Sequence, residues 1–290
     1  MKRYFITLLL FAVVISISCK KNSPQVEKDI KPATERTSLE SEHLLGVVQE
    51  IVDTKFLSRP LKDGRDTLYL HSIKKQTYNR HGMLTNSLIT TAEGDTVQRM
   101  QSTYNQKGKI VRSDFFGKDG KHISYVIYTH DNAGYRIKEE HYENDTLSYT
   151  EEFSNDEHGN VLLTTVSNGA EKYYIRYTND KNGYPIKAEW YNEGISKSSY
   201  QTQLFEYDSR GNIINRQVTL AGNRSVEYYH AQYDEKGHIL KDVYQGSLPN
   251  QLVEVVTKYG VRDSHGNWTH KEVYQNQQKD YLIERTIKYY

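Results

Sequence analysis

The chain has a single cysteine, Cys19, in 290 residues, so no internal disulfide can staple the fold. Apolar residues are also sparse. Their share is 36%, with a mean hydropathy of −0.80, too little for a thick two-layered core. Past the first nineteen residues no segment shows a helical stripe of apolar positions. Neither charge dominates: the formal net charge is +1, and it becomes −1 once Lys2 and Arg3 are removed with residues 1–18. Nothing in this balance suggests a nucleic-acid footprint. The sequence has no His-Glu-x-x-His pair, Gly-x-Ser-x-Gly elbow or phosphate-binding glycine loop. It gives no reason to expect a cofactor or a metal.

At the N-terminus, Lys2 and Arg3 precede an apolar run from Phe5 to Ile17 that is broken only by Thr7 and Ser16. The run is too short to span a bilayer and reads as a secretory signal. Ser16-Ile17-Ser18-Cys19 resembles a bacterial lipobox, departing from it at Ser16, where Leu is usual. The resemblance implies cleavage before Cys19 and acylation of its thiol, and a multiply acylated cysteine anchors stably. Lys20 in the next position implies the outer membrane, with the periplasmic or external face left open. Residues 20–43 are polar, include Pro24 and Pro32, and read as a tether. The expected organisation is thus a signal peptide over 1–18, lipidated Cys19 and tether over 19–43, and a folded domain over 44–290.

What the folded part has in abundance is tyrosine and a repeat. Tyrosines number 25, against seven Phe and two Trp. Such a ring with a wet hydroxyl suits a half-buried sheet better than a dry core. Eight [Asn/Asp]-x-x-Gly anchors end in Gly82, Gly108, Gly134, Gly159, Gly183, Gly211, Gly237 and Gly266, at spacings of 26, 26, 25, 24, 28, 26 and 29 residues. Asp or Asn can bond the backbone two residues on, and Gly can take positive φ, so each anchor predicts a tight hairpin turn. Tyr precedes the anchor in four repeats, as Tyr78, Tyr104, Tyr207 and Tyr233. A second turn lies midway in most repeats, as in Lys118-Asp119-Gly120 and Glu143-Asn144-Asp145. With an opening hairpin of Leu45 to Phe56 and Thr67 to Tyr78, the count is about 18 strands. Short turns make neighbours antiparallel. The expected fold is all-β: one meander forming a curled or spiral sheet, with a two-sheet sandwich as the alternative. The array is expected to be complete at Tyr290.

Tyr207-Asp208-Ser209-Arg210-Gly211-Asn212 and Tyr233-Asp234-Glu235-Lys236-Gly237-His238 resemble the YD repeat of RHS-type proteins. Asp156 to Asn160 and Asp263 to Asn267 keep its Asp-x-x-Gly-Asn part. The likeness covers about residues 76–290 and implies a β-hairpin spiral. The chain is too short for the closed shell of RHS toxins and lacks the Asp-Pro dipeptide of their processing motif. It therefore looks like a small RHS-repeat envelope lipoprotein rather than a toxin.

His81, His158 and His265 recur before anchor glycines and read as polar turn residues; unlike residues in the intervening repeats break any metal ladder. Asp263-Ser264-His265 has the residue types of a triad, but adjacent residues in one turn cannot converge as a triad requires. Glu139-Glu140 and Glu151-Glu152 point to opposite faces of their strands. Asp66-Thr67-Leu68, Asp95-Thr96-Val97 and Asp145-Thr146-Leu147 resemble a bacterial O-glycosylation sequon and read equally well as turn exits. The doublets Tyr173-Tyr174, Trp190-Tyr191, Tyr228-Tyr229 and Tyr289-Tyr290 put one ring on each face, either as cross-strand stabilisers or as a displayed aromatic surface, for which the first three are the candidates. On that basis the protein is expected to be a non-enzymatic envelope protein that binds polysaccharide or another envelope protein. The alternatives are a structural spacer and, less in keeping with the missing motifs, a glycan-active enzyme.

Overall fold

The computed structural model describes residues 37–61, 66–169, 171–192, 198–222, 224–246 and 252–290. The signal segment, Cys19 and the tether up to residue 36 lie outside them. A one-turn helix, α1 (Ser38–Ser41), is closed by a capping box in which the Thr37 side chain accepts from the Glu40 N–H. Apart from one 3-10 turn at Lys118–Gly120, the rest of the described residues are strand, turn and loop. The opening hairpin is β1 (Val48–Pro60) with β2 (Asp66–Tyr78). There follow β3 (Leu84–Thr91), β4 (Thr96–Tyr104), β5 (Ile110–Phe116), β6 (His122–His130), β7 (Arg136–Glu143), β8 (Thr146–Asn155) and β9 (Val161–Asn168). The second half comprises β10 (Glu171–Asn179), β11 (Pro185–Asn192), β12 (Gln201–Tyr207), β13 (Ile213–Leu220), β14 (Arg224–Tyr233), β15 (Ile239–Gln245), β16 (Leu252–Tyr259), β17 (His270–Gln275) and β18 (Gln278–Tyr289).

Every strand pairs antiparallel with its neighbours in sequence, and β18 pairs with β1 from Val48↔Tyr289 to Leu57↔Tyr281. The sheet is a closed barrel of 18 strands. This corrects the expectation of a curled or spiral open sheet and removes the sandwich alternative. It also leaves no free edge strand. Turn chemistry reports only on strands adjacent in sequence, whereas closure depends on strands more than 200 residues apart. Closure satisfies both rows of edge amides that an open sheet would leave unpaired. With strands about 4.8 Å apart and tilted by about 40°, the backbone cylinder is roughly 35 Å across.

The seam has chemistry of its own. Arg285 donates to both carboxylate oxygens of Asp53 at 2.6 and 2.8 Å, and both side chains are buried. The Arg285 guanidinium also lies 3.6 Å from the Trp268 ring centre. Above the pair, Leu39 and Leu44 of the α1 segment pack on Val48, Ile51 and Tyr78.

Each anchor turn is built alike. The Asp208 carboxylate accepts from the Arg210 and Asn212 N–H groups at 2.9 Å, and Gly211 donates to the Asp208 carbonyl at 3.0 Å. All eight anchor glycines have φ between +74° and +89°, a region that Cβ makes unfavourable for other residues. Successive turns also interlock. At four anchors the residue after one anchor glycine lies over the next anchor glycine: Lys109 over Gly134, Tyr135 over Gly159, Asn160 over Gly183 and Tyr184 over Gly211. The residue before the anchor reaches back one repeat. Tyr104, Tyr207 and Tyr233 donate their hydroxyls to the Leu84, Pro185 and Ile213 carbonyls at 2.6, 2.8 and 2.9 Å. Asn155 and Asn179 make the same bond through Nδ2, each at 2.9 Å. At the closure Tyr290 donates to the Tyr78 carbonyl at 2.6 Å.

Immediately after seven anchor turns the register slips by one residue, at Thr85, Val111, Ile137, Leu162, Ile186, Ile214 and Leu240. Such bulges bend a strand and increase its twist, which curls a flat meander toward closure. Following paired residues round the ring sorts the side chains into two faces. Ile51, Asp53, Gln76, Ser113, Val126, Thr164, Val166, Ala188, Val218, Ala231, Thr257, Val273 and Arg285 are all buried and share one face. Side chains on the concave side of a closed sheet converge and shade one another, so this face lines the bore. Thr96 and Thr146, of the sequon-like triplets, begin β4 and β8, and Thr67 is the second residue of β2, all at the rim opposite the anchor turns.

Candidate functional site

The aromatic doublets separate as alternation requires, and the six rings do not form one surface. On the outer wall Tyr174 lies directly opposite Tyr191 and stacks on it at 5.2 Å, with the Arg176 guanidinium also 5.2 Å from Tyr191. Tyr191 is only 8% exposed, so this arrangement is a covered cross-strand pair rather than a platform. It borders a shallow depression with Leu163, Thr165 and Lys172. Tyr228, also on the outer wall, is 47% exposed between Gln217 and Gln245.

Tyr173, Trp190 and Tyr229 face the bore. Tyr173 sits opposite Val166 and Asn192, and Trp190 sits opposite Ile175 and Gln201. Together with Gln203, opposite Ala188, these residues make a continuous patch of rings and carboxamides on β10 to β12. Tyr173 keeps 37% of its surface exposed to the bore. Burial, and then the neighbouring Tyr173, push the Tyr200 hydroxyl above its usual range. Tyr229 lies apart, opposite Arg216 and Tyr244, with the Arg216 guanidinium 5.7 Å from its ring.

Sequence reasoning missed a pair of carboxylates beside this patch. Glu139 and Glu151 are direct cross-strand partners on the bore side. A plain two-residue hairpin at Asn144-Asp145 would set Glu139 opposite Thr150. A register slip at Ser148 brings Glu151 there instead. Arg136 at 2.6 Å and His141 at 3.2 Å hold Glu139. Glu151 has no such partner among the described residues, and burial, then Glu139, raises its pKa. His141 stacks on Tyr149 at 4.0 Å. The signal in the sequence would have been the bulge, which has no distinct residue type.

The outer wall carries a second run unseen in the sequence: Arg99, Phe116, His122, Tyr125 and Tyr142 follow one another across β4 to β7. Their separations are 4.0, 5.2, 5.5 and 4.5 Å. Asp114 anchors the run. Its carboxyl is held below the usual range first by hydrogen bonding to Arg112, against burial, and then by His122. The same wall carries Lys75–Glu50, Lys138–Glu140, Lys187–Glu189 and Lys279–Glu272 ion pairs. Neither wall is therefore an uninterrupted apolar band of the kind that faces lipid.

His81 and His158 are exposed in their turns, and His265 stacks on Tyr289 at 3.8 Å. Among the described residues no group of three or more His, Cys, Asp or Glu side chains is disposed to hold a metal.

No protein-family model matches the chain, and no curated protein matches it at a significant level. Among solved structures it is similar to a porin-like protein from Bacteroides uniformis, with a TM-score of 0.44 and 12% identity over 84% of this chain and 98% of that one. It is similar to the TcdB2–TccC3 complex, with a TM-score of 0.36 and 12% identity; 75% of this chain is covered but only 15% of that one. A third is an outer membrane lipoprotein-sorting protein domain from Vibrio parahaemolyticus, with a TM-score of 0.25 and 12% identity over 86% of this chain and 88% of that one. Likeness at this level lends none of their properties to this protein.

Proposed function

We propose that the protein is a small RHS/YD-repeat envelope lipoprotein, tethered to the outer membrane through acylated Cys19, that binds polysaccharide along the bore of its barrel without turning it over. The observation that carries the reading is the Tyr173–Trp190 patch. Its rings face the bore beside Asn192, Gln201 and Gln203, and rings interleaved with carboxamides suit the apolar faces and hydroxyls of a sugar. The ion pairs of the outer wall support a barrel that stands in water on a lipid tether rather than one that spans the bilayer.

The test is a binding screen of the purified protein against bacterial, host and dietary polysaccharides. Trp190→Ala should weaken binding at least tenfold, and Tyr228→Ala on the outer wall should leave it unchanged. Loss in Tyr228→Ala alone would move the site outside, and no binding to any glycan would end the sugar reading in favour of an envelope-protein partner. One observation favours a second reading, glycan cleavage. Glu139 and Glu151 face each other in unequal environments, as an acid and a nucleophile do in retaining glycosidases. Reducing ends released by the wild type and not by Glu151→Gln would establish it.

A further inference from the structure

The closing seam contains more positive charge than its fold requires. Asp53 is spoken for by Arg285, which grips it with two hydrogen bonds. Lys74 stands directly opposite Asp53 on β2 and makes no ion pair among the described residues. Lys271, opposite Ile283 and next to the Arg285 row, has neither an ion pair nor a hydrogen bond among them. Its ammonium rests 4.8 Å from the Trp268 ring centre, beside the guanidinium stacked on that same ring. Three cations thus surround one carboxylate that is already neutralised, with Glu42 the next acid in reach.

A second anomaly lies alongside. The Tyr78 side chain is 3% exposed, roofed by Leu39 and Leu44, and its hydroxyl has no hydrogen-bond partner. In other repeats the equivalent hydroxyl reaches back to a carbonyl of the preceding repeat. Tyr78 opens the series and has none to reach. A buried hydroxyl left unpaired is costly, and this one lies within electrostatic range of Arg285 and Asp53, as Lys271 does.

We propose that the seam is a binding site for a compact oxyanion, a carboxylate, phosphate or sulfate group, entering from the bore. Lys271 and Lys74 supply the charge, Tyr78 donates a hydrogen bond, and Trp268 forms the wall. Both unmet demands, a cation without an anion and a donor without an acceptor, are met by one such group. Burial, and then Arg285, lower the Lys271 pKa. An arriving anion opposes that shift. The group can be a free ion or the acid group of a polymer. The site does not depend on the Trp190 patch, so neutral glycan binding can fail while this site stands, and the reverse.

The test is calorimetry on the full mature chain in detergent, with inorganic phosphate, sulfate and acetate in one arm. Polygalacturonate against neutral dextran forms the other. The expected result is saturable binding in the ion arm, or in the polygalacturonate arm alone if the group must be presented on a polymer. Lys271→Met should weaken binding at least tenfold. Tyr78→Phe should weaken it severalfold without lowering the melting temperature, because it removes a hydroxyl that bonds nothing in the empty protein. Absence of binding in both arms, or binding that both variants leave intact, overturns the proposal.

Discussion

The seam and the repeat wall hold the same kind of ladder by different means. Along the wall each hairpin touches its neighbours through backbone bonds, joined in five repeats by a reaching hydroxyl or carboxamide and at four anchors by a side chain laid over the next glycine. Few of its side chains are fully buried. At the seam, Val48 and Ile51 are at most 1% exposed, Asp53 grips Arg285 across 232 residues of sequence, and α1 covers the join. The wall's contacts are repeated, local and individually replaceable. Those of the seam occur once and join the two ends of the barrel strand order. Local contacts form early and cheaply, whereas this one must wait until the whole strand series is in place. The barrel is therefore expected to open at its seam.

The largest effect should come from Arg285→Ala, which strands the Asp53 carboxylate in a buried site at a cost of about 3–5 kcal/mol. Urea unfolding measures the loss, and amide exchange should rise first in β1 and β18. A loss under about 1 kcal/mol, or exchange rising evenly round the ring, would dissolve the distinction between seam and wall. Next comes a matched pair in the wall. Gly108 and Gly211 both have positive φ, but a Cβ at Gly108 meets nothing within 4 Å, while one at Gly211 would overlap the Tyr184 ring. Gly108→Ala should cost about 1–2 kcal/mol for its backbone alone. Gly211→Ala should cost about 1–3 kcal/mol more for the displaced stack, and equal losses would show that turn stacking contributes nothing.

Smaller again, Tyr207→Phe removes the 2.8 Å bond to the Pro185 carbonyl and should cost about 1 kcal/mol. The last effect is absent at neutral pH. Tyr207 is pushed up to about 12 by burial and then by Asp180, and Tyr259 to about 12 by burial and then by Asp234. In the unfolded chain both ionise near 10. Their contribution is thus complete below pH 10 and is lost as the pH rises from about 10 through 12. Absorbance near 295 nm should show these hydroxyls ionising together with unfolding, and normal titration in a still-folded barrel would refute it.

The anchors, the strand count and the antiparallel pairing were legible because each rests on a few adjacent residues, such as Asp208 to Gly211. The opening hairpin was placed within three residues of β1 at its start. Closure was not legible, since nothing near Asp53 announces Arg285. Tyrosine before an anchor was visible, but the role of the position was not. Asn155 and Asn179 fill it with another functional group, and Tyr78 shares the residue without the bond. The doublets told that rings alternate but not which ring faces inward, because that depends on the sense of curvature. The Glu139–Glu151 pairing was hidden by one slip at Ser148.

The way one repeat is laid on the next, by strand pairing and at four anchors by a side chain over the following glycine, makes the barrel a device whose calibre is counted in repeats. The seam needs only β1 and β18, so a whole hairpin repeat inserted or deleted between them leaves the closing residues unchanged. Each such step alters the circumference by two strands and the diameter by about 4 Å. Gene duplication of a unit of about 26 residues could therefore resize the channel in fixed increments while leaving its lock intact.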